Sequence, residues 1–208
     1  GIYAVTDIPY GQLDGQDNCT CKNFRDMAIG RIYAESLSCA TLLAARTVNY
    51  ELLLDGKWNS SVIESGSWGF PEARRLMEVA GIDHAPKHLL ASDVSGMRVV
   101  EAAVILHKDH SSAVGLGNFV SNKTATLYSP AVVVSRGCHA AGIDEGDRSN
   151  GSVAGKMIGK GCICYLGSPR SPTTSNTLTE VAFVHELLYA SQRRVMSVGQ
   201  AMRSACLL

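Results

Sequence analysis

Ala131-Val132-Val133-Val134-Ser135-Arg136-Gly137-Cys138-His139-Ala140-Ala141-Gly142 is a β-branched apolar run that breaks into small and polar residues at a thiol. An earlier run, Ala102-Ala103-Val104-Ile105-Leu106, ends in the same way at His107-Lys108-Asp109-His110. Continuous apolarity over a short span suits a strand buried on both faces, as in a parallel sheet. Residues just beyond the carboxyl ends of neighbouring parallel strands converge on one crevice. Cys138 and His110, 28 positions apart, can therefore meet there. A thiol beside an imidazole is the pairing of a cysteine nucleophile and its base.

Outward from these runs, strand and helix signals alternate. Ala28–Tyr33 reads as a strand, and Ser36 caps a helix that carries Cys39, Leu42, Leu43, Tyr50 and Leu53 on nearly one face. Ser60–Ser65 reads as a strand leading into Gly66-Ser67-Trp68-Gly69, with Pro71 as the first residue of a helix that Gly81 stops. Lys87–Ala91 is expected to be a brief strand and Val94–Glu101 a helix. Ser152–Ile158 reads as a helix between glycines, and Cys162–Gly167 follows as a closing strand. Two capping-box patterns, Thr177-Leu178-Thr179-Glu180 and Ser197-Val198-Gly199-Gln200, open terminal helices. The alternation predicts a three-layer α/β fold with a mostly parallel sheet.

The 208 residues, 46% hydrophobic, fit one domain, residues 1–208. Both ends read as cut from a longer product. Lys plus Arg equals Asp plus Glu at 19 each, with no basic stripe, so no nucleic acid is implied as a partner. No apolar run reaches the length of a membrane span. A protein or peptide substrate is the expected partner. No glycine-rich loop of the strand-to-helix form that cradles phosphates occurs.

Seven cysteines, an odd number, leave at least one thiol unpaired within the chain. Cys19-x-Cys21 and Cys162-x-Cys164 have neither zinc-knuckle spacing nor an adjacent histidine, so buried or loop thiols are the better reading. Asp7, Asp14 and Asp17 cluster in a turn-rich segment where calcium is conceivable, although no full calcium-loop ligand set is present and a solvated loop is favoured. Asp144, Glu145 and Asp147 read as a solvated charge run. No cofactor is expected.

Among the histidines, His110 is the preferred base: it stands beyond the strand and is followed by the small residues Ser111-Ser112-Ala113. His107, nearer the strand's end, is expected to pack. His139, next to the thiol, is expected to point away from it and to anchor its loop. The backbone amides of Ser111 and Cys138 are candidates for an oxyanion hole.

The order of these motifs resembles the gingipain-like cysteine peptidases, a family with a caspase-like α/β sandwich. The likeness is carried by Tyr10–Gly15, Met27–Ile32 and the helix ending Asn49-Tyr50-Glu51. Val104–Ser112, Val132–His139 and Tyr165–Ser168 through Met202 carry it further, so that it spans nearly the whole chain. The resemblance implies a cysteine-type endopeptidase, secreted or on the cell surface, with His110 as general base and acid and Cys138 as the nucleophile that forms an acyl-enzyme. The family typically has glycine on both sides of its catalytic histidine, whereas Asp109 and Ser111 flank His110 here. A glycine-like backbone at Ser111 would cost about 1 kcal/mol or more. The alternative reading is a caspase-like domain without catalysis that serves as a binding or structural module.

Overall fold

The two runs of β-branched and apolar residues form adjacent parallel strands, as their pattern requires. The computed structural model describes residues 34, 36–49, 61–67, 71, 74–75, 87–89, 91–146, 151–171, 177–188 and 198–205. The strands of the main sheet are β1 (Val62–Ser65), β2 (Lys87–His88), β4 (Val104–His107), β9 (Val132–Ser135) and β10 (Cys164–Gly167). They lie in the order β10-β9-β4-β1-β2, and every pairing is parallel. Counted in chain order among the described strands, this is a doubly wound arrangement whose direction reverses between β1 and β4.

All residues of β1, β4 and β9 are buried, which accounts for their lack of polar alternation. Ile63, Ile105 and Val133 share one face of the sheet and join a core with Phe119, Leu116 and Met157. One step nearer the strand ends, Ser65, His107, Ser135 and Gly167 form a row across the same face. On the opposite face the buried carboxylate of Glu64 accepts a hydrogen bond from Arg74 Nε at 2.7 Å.

Helix α1 (Leu37–Asn49) begins after Ser36, whose hydroxyl accepts from the Cys39 amide at 3.2 Å as an N-cap does. Arg46 reaches from α1 to the carbonyls of Ile158 and Gly159, at the carboxyl end of helix α3 (Val153–Gly159). Ser152 caps the other end of α3 by accepting from Gly155 N. Helices α4 (Thr177–Leu188) and α5 (Val198–Ala205) pack on each other. The chain divides into two compact units: Gly1–Arg31 with Thr177–Leu208, and Ile32–Asn176, which holds the whole of the described sheet.

Several expectations need correction. The helix expected at Val94–Glu101 is a shorter one, α2 (Ala91–Ser95), followed by strand β3 (Val99–Val100) paired in parallel with β8 (Leu127–Tyr128). Gly96 follows that helix, and the two valines suit the extended chain beyond it. The strand expected at Lys87–Ala91 is confined to β2, because Ala91 already starts α2. The segment after His110, noted only for its small residues, folds into an antiparallel meander of β5 (Ser111–Ser112), β6 (Gly115–Leu116) and β7 (Val120–Ser121). Its strands are too short for alternation to reveal them. The strand at Ala28–Tyr33, the acidic cluster Asp7, Asp14 and Asp17, the pair Cys19 and Cys21, and most of the helix after Pro71 lie outside the described residues.

Candidate active site

The site is set by the register of two neighbouring strands. His107 in β4 is paired with Ser135 in β9, and each is the last residue of its strand. His110 and Cys138 each stand three residues beyond that last pair, on loops that leave the sheet at the same edge. The loop after β1 leaves at this edge too and brings Ser67. The crevice thus lies at the carboxyl ends of β1, β4 and β9, where the winding of the sheet reverses.

The two loops touch. Ser111 Oγ donates to the carbonyl of Cys138 at 2.7 Å. A Cβ placed on Gly137 would lie 2.7 Å from Ser111 Cβ and 2.8 Å from the Asp109 carbonyl, so only glycine lets the loops come this close. His139 is the only described non-glycine residue with positive φ, at 55°. Ser111 therefore carries no glycine-like strain: it sits in β5 as an ordinary strand residue. The Cys138 amide makes no hydrogen bond to a described residue and remains available to a substrate oxygen.

His107 and His110 differ in burial. His107 is fully buried, with Nδ1 at 2.9 Å from Ser135 Oγ, and burial pushes its pKa down to about 4 against the opposing pull of Asp109. It is a neutral packing residue, as expected from its place at the strand's end. His110 is exposed.

Asp109 lies between them and is buried, and sequence reasoning gave it no role. Its Oδ2 accepts from both the amide and the hydroxyl of Ser67, at 3.0 and 2.8 Å, while Oδ1 accepts from the His110 amide at 2.6 Å. Burial works against its charge, but these hydrogen bonds and the nearby His107 outweigh it and hold the carboxyl below the usual aspartate range. Its one mark in the sequence was that it stands where the resembling family typically has glycine.

The left-handed backbone at His139 turns the chain after Cys138 and sends the imidazole toward Glu145 Oε2 and Ser171 Oγ, the latter 3.1 Å from Nε2. The His139 amide donates to the Arg170 carbonyl at 3.1 Å. His139 thus anchors its loop, although by a turn and not by the extended alternation expected. Asp144 and Glu145 are exposed, as expected, and are paired: Arg170 forks onto both oxygens of Asp144 at 3.1 and 2.8 Å and reaches Glu145 at 3.2 Å.

Of the other described thiols, Cys39 lies in α1, while Cys162 lies just before β10 and Cys164 opens it. Burial pushes Cys162 strongly up, and burial likewise raises Cys164 to about 11, so both stay protonated and inert at neutral pH. Among the described residues no group of three or more His, Cys, Asp or Glu is placed to hold a metal ion. No described helix is long and apolar enough to cross a membrane.

The fold agrees with the comparisons. The structure is similar to that of the complex of Porphyromonas gingivalis RgpB pro- and mature domains, with a TM-score of 0.68 at 15% sequence identity, over 95% of this chain and 53% of that one. The chain therefore spans about half the length of the solved relative, and the likeness extends to its caspase-like fold. No curated protein matches it. The model of peptidase family C25 matches residues 2–207, essentially the full sequence, and the chain belongs to that family of cysteine peptidases, the gingipain family.

Proposed function

We propose that this chain is the peptidase unit of a cysteine endopeptidase with His110 and Cys138 as its dyad and protein or peptide as its substrate. The observation that carries the reading is the equal offset of these two residues past a paired strand end, on loops joined by the Ser111 to Cys138 hydrogen bond. Of the four described cysteines, Cys138 alone lies on a loop at this edge of the sheet.

In the reaction, His110 accepts the proton as Cys138 Sγ attacks the scissile carbonyl carbon, and the carbonyl oxygen becomes an oxyanion. The amides of Cys138 and Ser111 hydrogen-bond that oxygen where charge develops. His110 then gives its proton to the departing amine as the C–N bond breaks, which leaves a thioester on Cys138. Water attacks the thioester, His110 takes a proton from it, and the acid product leaves with the thiol restored. No metal or cofactor is required. Family membership supports an extracellular or cell-surface setting.

Labelling by a panel of peptidyl acyloxymethyl ketones with varied first residues, read by intact mass, tests the reading. Stoichiometric modification that disappears in Cys138→Ala and slows in His110→Ala is the expected result. A folded protein that no probe labels points instead to a binding or structural module on the same fold.

A further inference from the structure

Two residues replace the glycines expected beside His110, and the one on its amino side does more than fill space. Asp109 is buried at the point where the sheet reverses direction, and its carboxylate bridges two loops. One oxygen holds Ser67, two residues beyond β1, through both its amide and its hydroxyl. The other holds the amide of His110 itself. Three donors on one carboxylate fix the peptide that begins His110 relative to a central strand, whereas glycine would leave that peptide free to rotate. The same loop is fitted closely from other sides. Gly66 packs within 3.0 Å of the Asp109 Cβ, measured from the position a Cβ of its own would take, and Gly117 packs at 3.1 Å from it in the same sense.

We infer that Asp109 is a positioning residue for His110, holding the imidazole toward Cys138 through the Ser67 to Asp109 to His110 chain of hydrogen bonds. This rests on the dyad proposed above. Asn in place of Asp109 keeps the shape but presents an amide NH₂ to at least one of these donors, so one side of the bridge is lost. A residue that acts only through His110 has nothing left to act on once His110 is gone, and a merely structural residue keeps its effect.

The experiment measures the rate of Cys138 labelling by one reactive peptidyl acyloxymethyl ketone in the full 208-residue chain. The unaltered protein is compared with Asp109→Asn, His110→Ala and the double variant. His110→Ala is expected to slow labelling roughly 100-fold, in the range of a lost general base. Asp109→Asn is expected to slow it on the order of tenfold by misplacing that base. The double variant is expected to label within about twofold of His110→Ala alone. Slowing by Asp109→Asn that multiplies with that of His110→Ala overturns the inference, as does labelling of Asp109→Asn at the unaltered rate; either leaves the dyad intact. Absence of any slowing in His110→Ala overturns the dyad itself, and a positioning role for Asp109 with it. Should Asp109→Asn fail to fold, Ser67→Ala removes one donor and is expected to slow labelling roughly threefold, again only when His110 is present. An unchanged rate in Ser67→Ala then counts against the inference.

Discussion

His107 and His110 are three residues apart, yet the sheet gives them opposite surroundings. His107 is the last paired residue of β4, buried against Ser135 and held neutral. His110 is past the pairing and exposed. The cysteines differ less in exposure: Cys162 is fully buried and Cys164, at the start of β10, is half-buried, and burial raises both thiols, whereas Cys138, also half-buried, lies on the loop beyond β9. A titratable side chain inside a buried parallel strand loses water on both faces, so its uncharged form is favoured. A few residues further along, a side chain on the loop regains access to solvent, as the exposed His110 does. Position relative to the last ladder bond, more than residue type, separates structural groups from candidate reactive ones.

The widest separation is expected between the two classes of thiol. Cys138→Ala should abolish labelling by acyloxymethyl ketones, and Cys164→Ala should leave it within about twofold of the unaltered rate. Labelling carried by Cys164 would break the contrast.

The histidine contrast has a signature in stability. In the folded protein His107 resists protonation until about pH 4, whereas in the unfolded chain it binds a proton near its ordinary pKa of 6.5. Between these values the unfolded state holds the extra proton, so stability falls as pH falls through this window, by about 3 kcal/mol in all. Urea midpoints measured from pH 7 to pH 4, with His107→Leu as the control, test this. A slope that survives in His107→Leu assigns the effect to other groups. Asp109, whose folded pKa is depressed, contributes stability that is present above its unfolded pKa and lost only at lower pH, as pH falls through its folded value.

Gly137→Ala probes the contact between the two loops. The added methyl overlaps Ser111 and the Asp109 carbonyl, and about 2 kcal/mol of destabilisation is expected in thermal or urea unfolding. Pairing it with Ser111→Gly should recover part of that loss, and no recovery would shift the strain onto the Asp109 carbonyl. At the small end, Asp144→Asn breaks an exposed fork with Arg170 and should leave the unfolding midpoint unchanged within error.

The strand runs at Val104 and Val132 were legible because burial on both faces demands unbroken apolar residues, and nothing else in a short segment produces that pattern as readily. The two loops that follow were legible as well, since each begins where the run ends in polar and small residues. The meander from Ser111 to Ser121 was not, because two-residue strands carry no period. Nor was the pairing of β3 with β8, whose partners lie 28 positions apart. Asp109 was visible only as a departure from a glycine, and its three donors come from residues 67 and 110, which no local pattern relates.

By itself, the sequence determined the parallel α/β class and the two loops most suited to chemistry, because apolar patterning and the residues that interrupt it are local properties of the chain. Only the tertiary structure decided that β4 and β9 are neighbours in a register that sets His107 opposite Ser135, and that Ser67 closes on Asp109. Register and loop contacts depend on close packing among segments far apart in sequence, and that information is spread over the whole core and carried by no single motif.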